Sequence, residues 1–328
     1  MNANKTKLMR ALRGEPTVGA PFWEVWFGMG RLAERVLGRP ISDPRDRVEL
    51  AQLMGWECLT TWVPGHVIGA KQGEASDGTK HYVPGGKVPL EELYARPERD
   101  LSEAAENARK VIEVARNEGL ATIVYVPWCF HAASTGLGLE HLSYLIYDEP
   151  EYVDAVFEWV EEGTRRAIRE VIVPLGIDVV LFDGDCAYKN GLMVNPAIFR
   201  KLVFERTAKT IAPLKEAGIL YTLHSDGKAD ELLPLLVELG FSGFHGVEAQ
   251  ANDLGDIKQR FGRDITLIGN MDVVFLTYAT VEEVRAETER MLTIGMEGGR
   301  YIAACNTSPL DYIPYENYMA MVDVIKSY

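Results

Sequence analysis

The sequence predicts an α/β fold, a (β/α)8 TIM barrel that forms a single domain over residues 1–328. Eight short segments rich in β-branched and aromatic residues alternate with longer amphipathic segments. Such alternation is typical of a parallel sheet whose strands are joined by helices, and eight repeats favour closure into a barrel. Several amphipathic segments also end at a glycine, where helices commonly stop.

The eight predicted strands lie between glycine, proline or polar residues that indicate turns. In chain order they cover 20–27, 57–63, 121–128, 178–184, 219–225, 241–248, 264–270 and 300–305. The clearest predicted helices cover 101–119, 150–176, 195–218 and 280–299. Residues 65–92 are too long for an ordinary strand-to-helix loop and contain the hairpin-like "SDGTKHYV". We expect this loop to cover part of the barrel mouth.

The charge of the chain argues against some classes of partner. A formal net charge of -14 does not suit nucleic acid, whose binding needs clustered lysine and arginine. The chain contains no run of about 18 apolar residues, so no membrane span is predicted. The first residues lack the apolar core of a secretion signal. The four cysteines show no C-x-x-C spacing, so no disulfide framework is predicted. We expect a cytoplasmic protein.

The stretch "LYTLHSDGK" places a histidine and an aspartate two positions apart at the end of a predicted strand. Residues i and i+2 of a strand lie on the same face, so His224 and Asp226 are expected to point the same way. This spacing suits a pair of metal ligands. It also suits an ordinary hydrogen-bonded pair at a turn.

Barrel enzymes build their active sites at the carboxyl ends of the strands, which meet at one mouth. Polar and aromatic residues at those predicted ends include Trp62, Trp128, Asp183, Asp185, His224, Asp226, Glu248, Asn270 and Cys305. A histidine, two carboxylates and a thiolate can form a zinc site. The predicted ligands are therefore His224, Asp226, Glu248 and Cys305. A hydrogen-bonded acid–base cluster without metal is the alternative.

Residues 125–160, 181–228, 267–284 and 298–322, which include "LFDGDCAYKNG", "TLHSDGK" and "RYIAACNTSP", resemble the uroporphyrinogen decarboxylase superfamily. The resemblance extends from about Val18 to the carboxyl terminus. It implies a single-domain barrel of one of two branches. One branch decarboxylates, and the other comprises cobamide-dependent methyltransferases that use zinc.

The chain departs from the pattern of the decarboxylase branch. In that branch, as the resemblance implies, an arginine-rich motif near the amino terminus and an aspartate after the second strand contact the substrate. Here "WFGMGR" keeps Arg31 but has Phe27 at the first arginine position, and the second strand ends at Trp62 without an aspartate. A substrate with many carboxylates needs cationic partners. A decarboxylase function is thus disfavoured, though it stays an alternative.

The zinc pattern of the methyltransferase branch is His-x-Cys, followed by a distant cysteine, with a glutamate as a further ligand. His224 resembles the histidine of this pattern, Cys305 the distant cysteine and Glu248 the glutamate. Asp226 stands where a cysteine is found in the coenzyme M enzymes, and "HSDG" looks like the first methyltransferase of corrinoid O-demethylases. The resemblance therefore implies a zinc enzyme that demethylates an aryl methyl ether. Zinc would act as a Lewis acid at the ether oxygen while cob(I)alamin attacks the methyl carbon.

The remaining site residues follow from that implied reaction. An aromatic donor needs a flat apolar pocket, for which Trp26, Trp62 and Trp128 are candidates, with core packing as the alternative. Asp183, Asp185 and Tyr188 are candidates for binding substrate or positioning water, and Asp185 also suits a loop cap. Two further candidates for substrate contact are His131 and Asn270.

The implied corrinoid has no binding motif in this chain, since no D-x-H-x-x-G occurs. Cobalamin would therefore be supplied by a separate corrinoid carrier protein. The sequence leaves a homodimer open. It also leaves open a third possibility, a non-catalytic barrel that binds an aromatic ligand.

Overall fold

The computed structural model describes residues 6–25, 30–66, 68, 71–74 and 80–328. Its strands are β1 (Cys58–Trp62), β2 (Lys71–Glu74), β3 (Lys80–Val83), β4 (Ala121–Pro127), β5 (Val179–Asp183), β6 (Ala187–Tyr188), β7 (Gly191–Leu192), β8 (Leu220–His224), β9 (Gly243–His245), β10 (Thr266–Met271) and β11 (Tyr301–Cys305). Predicted residue Trp26 lies outside the described residues.

The helices of the described residues lie between these strands and at both ends of the chain. They are α1 (Lys7–Leu12), α2 (Gly30–Leu37), α3 (Pro44–Met54), α4 (Leu90–Tyr94), α5 (Ser102–Asn117), α6 (Cys129–Leu137), α7 (Leu139–Asp148), α8 (Pro150–Ala167), α9 (Val173–Leu175), α10 (Pro196–Ala217), α11 (Leu232–Leu239), α12 (Leu254–Phe261), α13 (Val273–Tyr278), α14 (Val281–Met296) and α15 (Tyr315–Ser327). A π-helical turn, Ile168–Ile172, joins α8 to α9.

Seven strands form one parallel sheet in the order β1-β4-β5-β8-β9-β10-β11. Each of the seven coincides with a predicted strand, and helices follow most of them, so the predicted α/β class is confirmed. Parallel pairing directs all seven carboxyl ends toward the same edge of the sheet. Candidate site residues that follow different strands are thereby brought to one side of the molecule.

The first predicted strand, residues 20–27, occurs in the described part of the chain only as a single β-bridge between Phe22 and Ala303. The amide of Ala303 donates to Pro21 O at 2.9 Å, and Phe22 O accepts from the amide of Glu57 at 3.3 Å. This segment thus hydrogen-bonds beside both edge strands, β11 and β1. Proline has no amide hydrogen to donate, which limits the ladder that the segment can form.

The two faces of the sheet bury different sets of side chains. On one face, Ile123, Leu181 and Ile302 pack with Leu8 and Met9 of α1. On the other face, the alternate strand residues pack under the surrounding helices in the larger core cluster. Because strand side chains alternate in direction, the phase of each strand decides which face a candidate ligand occupies.

The predicted loop over residues 65–92 contains an antiparallel hairpin of β2 and β3. Nearby, the amide of Gly85 donates to Gly136 O of α6 at 2.9 Å, and Tyr152 of α8 donates its hydroxyl to Val88 O at 2.9 Å. These contacts attach the segment to helices that follow β4. Its placement over the mouth stays a prediction.

Searched over its described residues, the chain has no helix that is both long and apolar enough to cross a membrane.

Candidate metal centre

Three adjacent strands end in one row of polar residues. In the pairing register, Asp183 of β5 lies beside His224 of β8, which lies beside His245 of β9. Aligned residues of neighbouring parallel strands point to the same face. Asp183, His224 and His245 therefore lie side by side, and the loops that follow their strands add further carboxylates.

Asp185, His224 and Asp226 form the cluster with metal-binding geometry in the described part of the chain, and their ligand atoms all lie within 4.8 Å of one another. His224 Nε2 lies 3.7 Å from Asp185 Oδ1 and 4.0 Å from Asp226 Oδ1. The amide of Asp226 donates to Asp185 Oδ1 at 3.1 Å, which fixes the two carboxylates relative to each other. The predicted convergence of His224 and Asp226 is thus present, with Asp185 as the third member.

The loop after β8 is held in place by Gly227 and two neighbouring side chains. Gly227 has φ 89°, and a Cβ there would lie 2.5 Å from Ala187 O, so a glycine is required. Its amide donates to Glu248 Oε2 at 2.8 Å. Asn252 donates from Nδ2 to Gly227 O at 2.9 Å and to Glu248 O at 3.0 Å. Glu248, a predicted ligand, therefore shapes the ligand loop in this structure.

The electrostatics of the cluster favour a cation. Burial raises the pKa of Asp226 to about 6, His224 opposes this rise, and the nearby carboxylates of Asp185, Glu248 and Asp183 add to it. Asp226 Oδ1 is buried and has no hydrogen-bond partner among the described residues. A divalent cation would neutralise the repelling carboxylates and give this oxygen a partner. One imidazole nitrogen and several carboxylate oxygens are a donor set that zinc accepts.

His245 is a part of the site that no motif in the sequence predicts. It is fully buried, and its Nδ1 lies 2.7 Å from His224 Nδ1. Burial, and then the proximity of His224, lower the pKa of His245 well below its ordinary value. The only signal in the sequence was its position at the end of the strand that follows the one carrying His224.

Cys305, like Glu248, is a predicted ligand that lies outside the cluster of Asp185, His224 and Asp226. Together with Tyr301 and Ala303 it belongs to the core layer under the helices, whereas Ile302 and Ala304 face the other side of the sheet. On β8, Tyr221 and Leu223 occupy that helix-facing layer. By strand alternation, His224 points to the opposite face from Cys305. The expectation that Cys305 joins His224 in one ligand set is therefore corrected.

The surroundings of Cys305 explain its burial. Its amide donates to both carboxylate oxygens of Glu24 at 3.2 Å, and Glu24 also interacts with the thiol of Cys305 and with Tyr318. Burial raises the pKa of Glu24 to about 8, and burial together with Glu24 raises the pKa of the Cys305 thiol well above its ordinary value. These contacts place the thiol of Cys305 beside Glu24 and Tyr318 in the core.

Trp128 is a core residue rather than a substrate contact. Its side chain is fully buried, packs against Phe199 with ring centroids 5.8 Å apart, and donates from Nε1 to Thr207 Oγ1 at 2.9 Å. Both partners belong to α10. The predicted role of Trp128 in the substrate pocket is therefore corrected, and core packing is the role that it has.

We expect Trp128→Phe to lower the free energy of unfolding by roughly 2–3 kcal/mol, because Thr207 loses its buried partner and a small cavity forms. Urea denaturation measures this change. Metal affinity, measured on the same samples, is expected to stay unchanged. Weaker binding of a methoxylated aromatic compound, with unchanged stability, would return Trp128 to the substrate pocket.

Three other predicted residues have different degrees of burial and different contacts. Asn270 is buried and donates from Nδ2 to Val247 O at 3.2 Å, so its amide supports the loop after β9. Tyr188 is exposed, and its carbonyl accepts from the amide of Lys228 at 2.8 Å. His131 is half-buried on α6.

Trp62, at the end of β1, is 39% exposed and lines an open cleft of about 760 Å³. Other residues of the cleft include Thr60, Pro64 and Tyr125, and the charged residues Asp43, Arg47, Arg99, Asp100, Glu103 and Lys110. A half-exposed indole beside a cleft of this size offers a flat apolar surface to a ligand. Trp62 is thus the predicted substrate tryptophan whose placement suits that role.

Comparison with known proteins gives a family and several structural likenesses. A family model described as Uroporphyrinogen decarboxylase (URO-D) matches residues 91–328. A methyltransferase from Methanosarcina mazei has a TM-score of 0.77 and 20% sequence identity, over 100% of this chain and 99% of that chain. A family 5 xyloglucanase from Paenibacillus pabuli has a TM-score of 0.49 and 11% identity, over 94% and 98% of the two chains. No curated protein matches the chain. The likeness to the methyltransferase shows a shared fold.

Proposed function

Since the chain belongs to the uroporphyrinogen decarboxylase family, we propose that it is a zinc-dependent methyltransferase. Its methyl donor is an aryl methyl ether, and its acceptor is the cob(I)alamin of a separate corrinoid carrier protein. The shared fold with a methyltransferase supports this branch of the family. We place the enzyme in the cytoplasm.

The observation that carries the proposal is the cluster of Asp185, His224 and Asp226, in which Asp226 Oδ1 has no hydrogen-bond partner within the described part of the chain. These three residues would hold the metal, and Glu248 would shape their loop from 2.8 Å away, at the amide of Gly227. When bound, zinc supplies Lewis-acid stabilisation of the oxygen that leaves with the bonding electron pair. Such stabilisation is worth several kcal/mol, which an unreactive ether requires.

The chain itself would orient the donor. Trp62 lines a cleft large enough for a small aromatic compound. Residues of β1, α3 and α5 line this cleft. The bonds of Phe22 and Pro21 beside both edge strands support closure into an eight-stranded barrel, which would bring this cleft and the cluster to one mouth.

The corrinoid would reach the donor on its carrier. Several large side chains at the end of β1 or in segments that follow later strands of the sheet are exposed: Trp62, Tyr188, Val274, Tyr278 and Tyr312. Exposed aromatic groups are favourable at protein interfaces. The exposure of these side chains supports docking of a carrier protein at the carboxyl ends of the strands.

The test is methyl transfer from 2-methoxyphenol by the zinc-loaded chain with a reduced corrinoid carrier protein. We expect the O-demethylated product of 2-methoxyphenol to form, which chromatography measures. The methyl group is expected to appear on the corrinoid of the carrier, which mass spectrometry measures. Omission of the carrier, or prior removal of the metal with a chelator, is expected to abolish turnover. Turnover by the chain without corrinoid would contradict the proposal, and so would metal-free decarboxylation of a porphyrinogen.

A further inference from the structure

The imidazole of His245 meets that of His224, and we propose that His245 is the positioning residue that holds His224 with Nε2 toward the metal. The two residues are paired in register at the ends of β9 and β8. Their Nδ1 atoms are 2.7 Å apart, and their ring centroids are 4.8 Å apart. This inference rests on the metal site of the proposed function.

The position of one proton follows from this contact. Two imidazole nitrogens at hydrogen-bonding distance share a single proton, so one Nδ1 donates and the other accepts. His224 Nε2 faces the carboxylates of Asp185 and Asp226 at 3.7 and 4.0 Å. A nitrogen that binds a metal must present its lone pair, so a neutral His224 keeps its proton on Nδ1. His245 Nδ1 is then the acceptor, and the proton of His245 lies on Nε2.

The choice of an imidazole as acceptor suits the charge of this site. Ligand histidines most often donate their second N–H to a carboxylate, a carbonyl or water. A carboxylate at position 245 would add a negative charge to a site that already holds four carboxylates, namely Asp183, Asp185, Asp226 and Glu248. A neutral imidazole accepts the same hydrogen bond without that repulsion.

The ring of His245 is itself held by its neighbours. It is fully buried and packs against the indole of Trp23 with ring centroids 5.6 Å apart. Its backbone carbonyl accepts from the amide of Ser225 at 3.3 Å, which ties β9 to the start of the ligand loop. His245 Nε2 has no hydrogen-bond partner among the described residues. The bond to His224 is therefore the polar contact that this buried ring makes.

The experiment compares zinc affinity, by competition with a fluorescent chelator, in the wild-type chain and three variants. His245→Phe removes the acceptor, and we expect zinc to bind roughly 10- to 100-fold more weakly. His245→Asn places an amide oxygen near the position of Nδ1 and is expected to recover most of the affinity. Thr222→Val is the matched control, because Thr222 is a fully buried polar residue of the same strand as His224 and has no hydrogen bond from its hydroxyl in the described part of the chain. Its affinity is expected to equal that of the wild type.

A second readout reports the proton directly. Long-range proton–nitrogen correlation spectra of the zinc-loaded wild type are expected to show His224 protonated on Nδ1. Metal on Nδ1 of His224 would overturn the inference even if His245→Phe failed to fold. Wild-type affinity in a folded His245→Phe variant would overturn it too, as would an equal loss in His245→Asn. Absence of zinc binding by the wild type would instead count against the proposed metal site itself.

Discussion

Replacement of His224 by alanine is expected to remove the bound zinc and to lower methyl transfer by roughly a thousandfold. The reason is that His224 is the nitrogen donor of the cluster and lies within 4.8 Å of both carboxylate ligands. Loss of the Lewis acid withdraws several kcal/mol of stabilisation, and about 4 kcal/mol corresponds to a thousandfold in rate. Metal content of the purified variant and the rate with a corrinoid carrier measure the two effects.

Cys305→Ala is the matched control for that experiment. Its side chain faces the helical layer, so we expect the variant to keep both its zinc and its turnover. Unchanged zinc in His224→Ala would show that the cluster is not the metal site. Loss of zinc in Cys305→Ala with the fold intact would restore the cysteine as a ligand.

Replacement of Glu24 by glutamine is expected to change how stability depends on pH. Burial raises the pKa of Glu24 from an ordinary value of 4.5 to about 8 in the folded chain. Between these values the folded state keeps a proton that the unfolded state has lost, so the free energy of unfolding falls as pH rises. The total loss from this group is on the order of 4–5 kcal/mol, because each pKa unit is worth about 1.4 kcal/mol.

Glutamine does not ionise, so Glu24→Gln lacks this component. Urea unfolding at several pH values from 4 to 9 is expected to show the variant gaining stability relative to the wild type as pH rises. The variant Glu113→Gln, changed at an exposed position of α5, serves as the control. Its stability is expected to depend on pH as that of the wild type does. Parallel curves for Glu24→Gln and the wild type would show that Glu24 is ionised in the folded protein.

The sequence alone was sufficient for the features that depend on local pattern. The alternation of apolar and amphipathic segments located all seven strands of the sheet, since backbone geometry fixes the periods of strands and helices. The same period of two predicted that His224 and Asp226 share a face. The resemblance to the family, carried by long stretches of the chain, is confirmed by the match over residues 91–328.

Three residues show where the sequence was insufficient. Cys305 ends a strand as His224 does, yet a difference of one position in strand phase sends the two side chains to opposite faces. Trp128 was a candidate for the pocket, and only the position of α10 shows that its indole is buried against Phe199. His245 was not singled out, because its link to His224 depends on the register between two strands that are distant in sequence.

The sequence by itself thus determined the α/β class, the family and the pairing of His224 with Asp226, because these follow from local periodicity and from motifs that are contiguous in the chain. The tertiary structure alone decided that Asp185 joins them and that His245 contacts His224. It also decided that Cys305 lies beside Glu24. Each of these outcomes depends on strand register and helix packing, which bring together residues that are far apart in the sequence and set how much water reaches them.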